Sequence, residues 1–366
     1  MSGSVIEGIL PSQEIRTLHE RGAIKADRPL VDGQIQPASL DLRLGRRVWR
    51  LRASFLPGQS HTVRERLDRV ALHEIDLTNG AVLETGAVYI AECLESLALP
   101  KTLPASANPK SSTGRLDVFT RLIADHAREF DQIEAGYHGP LYLEISPRTF
   151  PVLVRTGSRL SQIRFRCGAP RLDDDALRLL HKRDPLVTSS EPSIQNGIAV
   201  SVDLSGFGDT KLVGYRARRH TALVDVDRVG ACAVDDYWDP LYASSARDLI
   251  LDPGQFYILA SKEAVQVPPD HAAEMTPFDP LVGEFRVHYA GFFDPGFGHA
   301  ESGGSGSRAV LEVRSRDVPF IIEDGQTVGR LVYERMAALP DVLYGKGLGS
   351  NYQAQGLKLS KHFKGS

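Results

Sequence analysis

Two tandem domains of mainly β structure are predicted by this sequence, and three observations carry the prediction. First, 33 Gly and 22 Pro among 366 residues punctuate short apolar runs such as 87–91, 141–145 and 151–155, the pattern of strands joined by turns. Second, helical periodicity is scarce. Third, the chain repeats itself: Glu144, Pro151 and Gly157 recur as Glu312, Pro319 and Gly325, each displaced by the same 168 positions. The flanks agree as well, with Ser39-Leu-Asp-Leu echoed by Ser201-Val-Asp-Leu. A period this long means two whole domains, because solenoid units run roughly 20 to 50 residues.

In chain order, a helix is expected to open near Ser12, whose hydroxyl can cap a turn before Ile15 and Leu18. Strands then fill the first repeat, with an insertion beginning near Asp125. A second helix is expected over 173–182, with Asp173, Asp174 and Asp175 at its positive end. That helix and the run from Pro185 to Pro192 read as a connector. The boundaries follow: a first repeat at 1–170, a linker at 171–189, a second repeat at 190–336 and a tail at 337–366. Both helices read as ornaments on sheets.

Composition narrows the class. A hydrophobic content of 42% suffices for buried cores. A net charge of -3 argues against a nucleic-acid coat, which needs a basic face, so phosphate binding would be local. The opening residues lack a basic segment followed by an apolar core, and no apolar run approaches the roughly 20 residues of a membrane span. Cys93, Cys167 and Cys232 are too few and scattered for a disulfide framework or a metal knuckle. The expectation is a cytoplasmic protein with neither nucleic acid nor membrane as partner.

Three segments hold the residues that can do chemistry. Asn108 to Arg115 reads Asn-Pro-Lys-Ser-Ser-Thr-Gly-Arg. Ser111 and Ser112 offer hydroxyls, Gly114 allows close backbone approach, and Lys110 and Arg115 bring cations, as a triphosphate held without a Walker loop requires. From spacing alone a capped surface turn fits as well. Glu144 and Glu312 each sit in an apolar strand, where alternation turns the carboxylate away from its neighbours; a solvated face is the usual outcome. Val287 to Phe297 reads as a hairpin offering backbone amides, the Asp294 carboxylate as an acceptor and Phe297 as an apolar wall; a plain hairpin turn with a packed Phe fits as well. Its counterpart in the first repeat, Ile133 to Gly139, is weaker and has Glu134 in place of Asp294. Conversely, Phe278 to Gly283 lacks the hydroxyls and Arg of 110–115. His299-Ala-Glu301 is a lone match to a zinc-deaminase element, with no P-C-x-x-C anywhere, and reads as a flexible loop.

Together with 36–45 (Gln-Pro-Ala-Ser-Leu-Asp-Leu-Arg-Leu-Gly), these segments resemble the dCTP deaminase branch of the trimeric dUTPase superfamily. The resemblance implies a mainly β chain of two tandem distorted β-barrels of dUTPase-like (β-clip) type with a few short helices. It also implies hydrolytic deamination of dCTP to dUTP and ammonia, feeding dUMP and dTTP synthesis. Lys110, Ser111, Ser112 and Arg115 would hold the triphosphate, Ser111 and Arg115 sharing in catalysis, with Lys110 standing where the family has Arg. A Glu would act as general base and acid on a water attacking cytosine C4, without zinc, provided burial raises its pKa. Glu312 follows the better-preserved pocket of Tyr289, Ala290, Asp294 and Phe297, so it is expected to be catalytic and Glu144 structural.

In this superfamily the phosphate motif and base pocket of one site come from different subunits. One composite site per chain is therefore expected, in a homo-oligomer, from the phosphate motif of repeat one and the pocket of repeat two. The tail resembles the segment that closes over bound nucleotide, with Tyr352 and Gln355 contacting it. Magnesium is expected only through the substrate triphosphate, with no metal held by the protein itself. Two other readings stay open: dUTP pyrophosphatase activity, alone or combined with deamination, and a catalytically silent nucleotide-binding regulator.

Overall fold

The computed structural model describes residues 7–277, 285–287, 291–315, 317–345 and 356–365, and these are mainly strand with a few short helices. The chain divides into two compact units, one of 1–170 with 220–231 and 336–341, the other of 171–219, 232–335 and 342–366.

In the first unit the strand Leu40–Leu51 is the spine. Its first part pairs with Arg159–Cys167, and its second part pairs with Val88–Ala98 and Ala71–Asp76. Outward from Val88–Ala98 lie His138–Pro147 and then Val118–Ala124; outward from Arg159–Cys167 lies Ala105–Pro109. Leu40, Leu42 and Leu44 alternate along one face of this strand and are buried, as are Val48 and Leu51 farther along. The same strand also buries Arg43, whose guanidinium and amide both bond Glu95 while its other nitrogens reach the carbonyls of Arg28 and Pro29. With every group satisfied, the pair fixes the register of the spine.

The second unit repeats this plan with one change. Arg159–Cys167 and Ala105–Pro109 correspond to Thr327–Arg335 and His271–Pro277, which pair in the matching register, Met275 opposite Leu331 as Ala107 is opposite Ile163. His138–Pro147 and Val88–Ala98 correspond to Ser307–Ser315 and Phe256–Val265. The spine, however, is broken into Ile198–Ser201 and Leu212–Ala217, which pair in separate sheets. Between them Asp203 accepts from the amide and hydroxyl of Ser205, closing a tight turn that a continuous strand could not contain. Among the described residues an apolar cluster including Val200, Leu259, Leu311, Leu331 and Tyr333 packs this unit.

Several elements differ from the sequence expectations. The first helix spans Ser12–Glu20, but its N-cap is Pro11, and Ser12 lies inside and buried. The second spans Asp174–Arg183 with Asp173 capping the Ala176 amide. It is no ornament: Leu177 and Leu180 join the core with Leu186 and Val187, so residues read as a linker are packed structure of the second unit. A third helix, Val63–Val70, opens with a complete capping box between Thr62 and Glu65. The tail and the second repeat also contribute to the first unit. Val224–Asp225 adds a parallel strand to Val152–Val154, locked by the Arg155 fork on Asp225 and Asp227, and Ala337 bonds Ile9.

Candidate functional site

The phosphate motif begins where Ala105–Pro109 ends. The Lys110 amide bonds the Leu160 carbonyl, and the chain then winds one helical turn over Ser111–Gly114, with the Arg115 amide on the Ser111 carbonyl. The Thr113 and Gly114 amides both bond the Lys110 carbonyl, which closes the turn. Ser112 and Arg115 are 6% and 4% exposed, so the motif is a built interior feature rather than a surface turn. Lys110 Nζ lies 2.5 Å from Asp41 Oδ1, and Arg159 Nη1 lies 3.3 Å from Asp41 Oδ2. Around them, Ser39 donates to Gln162 and Ser161 donates to the Asn108 carbonyl, all four residues buried. Asp41, Gln162 and Arg159 were not singled out as site residues from sequence. The available signal was the Ser-x-Asp-Leu motif shared by both repeats, which marks Asp41 and Asp203.

The two glutamates are both buried, Glu144 at 1% and Glu312 at 4% exposure. Their strands are covered on both faces, which removes the solvated face that alternation alone would give. Glu144 Oε1 accepts from Arg121 Nε and Nη2 at 3.0 and 2.6 Å, and Oε2 accepts from the Ser54 hydroxyl at 2.5 Å. Arg121 in turn lies 3.5 Å from the Phe130 ring centre and 4.8 Å from that of Phe119. A planar, doubly donating cation stacked on aromatic rings thus fills the space in front of Glu144. Glu312 lies on Ser307–Ser315 opposite Ile258, with Leu311 and Val313 in the core on the other face.

The pocket hairpin keeps the same turn in both repeats. Phe297 N bonds Asp294 O at 3.1 Å, as Tyr137 N bonds Glu134 O at 3.2 Å. Gly296 and Gly136 occupy the left-handed region, and a Cβ on Gly296 would meet Ser302 Oγ at 2.4 Å. Asp294 is buried, and Phe297 belongs to the core, its ring 5.1 Å from Phe293 and 5.6 Å from Tyr344. Tyr289, Ala290, Tyr352, Gln355 and the segment 278–283 lie outside the described residues. His299 is engaged at both nitrogens, Nδ1 by the Glu301 amide and Nε2 by Asp184 at 3.1 Å, so it caps a short helix rather than sitting in a flexible loop. Among the described residues no cluster of three or more His, Cys, Asp or Glu is arranged to hold a metal, and no helix is long and apolar enough to cross a membrane.

The fold and these candidate half-sites define a duplicated β protein with a candidate anion motif and a buried glutamate at the equivalent strand position of each repeat. Comparison with known proteins gives the family. The chain belongs to the 2'-deoxycytidine 5'-triphosphate deaminase (DCD) family: residues 6–169 match its N-terminal domain and 173–363 its C-terminal domain. A crystal structure of the 2'-deoxycytidine 5'-triphosphate deaminase from Agrobacterium tumefaciens is 62% identical, covering 90% of this chain and 99% of that one at a TM-score of 0.88. A dUMP-forming dCTP deaminase from Methanoculleus marisnigri is 34% identical over 162 residues, 43% of this chain and 79% of the relative. A dCTP deaminase from Natronomonas pharaonis is 32% identical over 164 residues, with the same two coverages of 43% and 79%.

Proposed function

We propose that the protein is a hydrolytic dCTP deaminase, converting dCTP and water to dUTP and ammonia. The observation that carries this reading is the likeness to the Agrobacterium deaminase, which extends over nearly the whole of both chains rather than over one repeat. Lys110, Ser111, Ser112 and Arg115 bind the triphosphate. Glu312 takes a proton from water as the oxygen adds to C4, delivers a proton to the ring nitrogen, and assists the departure of ammonia as the carbonyl forms. Asp294 and Phe297 help form the base and sugar pocket. Glu144 is structural, since both of its oxygens are already held by Arg121 and Ser54.

Magnesium accompanies the triphosphate, held by phosphate and water oxygens. Asp41, the buried carboxylate beside the phosphate motif, is committed to Lys110 and Arg159. Zinc takes no part in this scheme. The protein acts in the cytoplasm as a homo-oligomer, on free nucleotide rather than nucleic acid. A combined activity that continues to dUMP is a second reading, favoured by relatives described as dUMP-forming. Incubation with dCTP and ion-exchange separation of products decides: dUTP with ammonia is expected, dUMP with pyrophosphate supports the combined reading, and unreacted dCTP overturns both.

A further inference from the structure

We infer that Arg159 is a further triphosphate-binding cation and that Asp41 is the residue that positions Arg159 and Lys110 together. This rests on the reading of 110–115 as the phosphate motif and extends it beyond that motif. Asp41 is 1% exposed, while the side chains it holds reach outward, Lys110 at 18% and Arg159 at 34% exposure. One carboxylate therefore anchors two cations, one on each oxygen, and the group carries a net positive charge. A buried anion committed to two partly exposed cations fixes flexible side chains without neutralising them. Lysine has three N–H donors and the bond to Asp41 uses one; the Arg159 fork likewise exceeds what Asp41 and the Gly33 carbonyl take.

The second repeat supplies the contrast. Its carboxylate, Asp203, is retained, but the positions displaced by 168 from Lys110 and Arg159 are Phe278 and Thr327. There Asp203 instead closes its own turn on Ser205 and reaches Arg308 Nη1 at 3.3 Å. The two cations thus occur together with the Ser-Ser-x-x-Arg motif and are lost together with it, as expected of parts of one anion site. Asp203 keeps one cation, Arg308, but from a different strand, so the pairing of Lys110 with Arg159 is particular to the repeat that carries the motif.

The test measures dCTP kinetics and competitive inhibition by inorganic tripolyphosphate, which reports the phosphate subsite without the base. Arg159→Ala is expected to raise KM and the tripolyphosphate inhibition constant by about tenfold or more, the loss of a charge-assisted contact, with a smaller fall in kcat. Arg159→Lys should recover part of it. Asp41→Asn should raise KM too, although it adds positive charge; a role in bulk electrostatics alone would lower KM, and that result overturns the positioning claim. If Asp41→Asn does not fold, Arg159→Ala still decides, because its side chain lies at the edge. Unchanged KM and inhibition in folded Arg159→Ala overturns the inference. Arg115→Ala separates the two levels. It is expected to abolish turnover; if it does while Arg159→Ala behaves as wild type, only the inference falls, whereas wild-type behaviour of Arg115→Ala removes the motif reading itself.

Discussion

Glu144 and Glu312 occupy equivalent strand positions, and Glu144 is held on both oxygens by Arg121 and Ser54. To act as a base, Glu144 would have to release Arg121 and Ser54, giving up a doubly hydrogen-bonded ion pair inside the first unit. Removing one partner of such a pair leaves a buried charge uncompensated, which favours keeping it intact. Glu312→Gln is therefore expected to cut kcat by about 10²–10⁴, the usual share of a general base, while Glu144→Gln leaves kcat near wild type and lowers thermal stability. Steady-state rates on both folded variants check this, and the reverse ranking would return catalysis to the first repeat. The sequence made both carboxylates visible, because Glu is conspicuous in an apolar strand. It did not reveal Arg121 as an occupant of the space before Glu144, since that depends on which strands pair. Asp41 was visible as part of a repeated motif, but its partners lie 69 positions away at Lys110 and farther still at Arg159.

Elements with a local signal were legible, and those fixed by distant contacts were not. Asp173 announced its helix because a capping side chain acts within three residues. Thr62 and Glu65 form an equally local capping box. The strand Val224–Asp225 carries no signal of its own destination; it is placed by the Arg155 fork, which holds Asp225 below the usual carboxylate range. The C-terminal segment is a similar case. Read as a tail, it ends in structure: Leu359, Ser360, His362 and Phe363 are all buried in the second unit, Phe363 bridging to Cys232 with its ring 5.4 Å from Tyr237 and 5.8 Å from Trp238. Truncation after Pro340 would remove this plug along with Tyr352 and Gln355, confusing stability with nucleotide contact. Phe363→Ala isolates the plug, and a loss of roughly 3–5 kcal/mol is expected for emptying a buried aromatic site. Urea unfolding measures it; a loss under about 1 kcal/mol would show that the packing contributes little.

At the scale of the whole molecule, duplication was the most legible property, because a shared displacement of positions survives sequence divergence that hides individual contacts. The units diverged by exchanging ion pairs over a conserved β plan, and this makes overall stability depend on pH in a definite direction. His271 is buried, which pushes its imidazole below the ordinary value, only partly opposed by Asp270 Oδ1 at 2.6 Å from Nδ1. The folded ring thus resists a proton that the unfolded chain accepts near pH 6.5, so stability is full above that value and falls as the pH drops through it. A second loss follows lower down. The fork from Arg155 holds the carboxyl of Asp225 low, and the Arg218 side chain does the same for Asp239. Each contributes stability present above its unfolded value near 3.9 and lost as the pH falls toward the folded one. Urea midpoints are therefore expected to be flat from pH 8 to about 7, to decline between about 7 and 5, and to decline again below about 4. His271→Gln should remove the first decline and leave the second. If the variant and the wild type lose stability in parallel between pH 7 and 5, the buried imidazole is not the source.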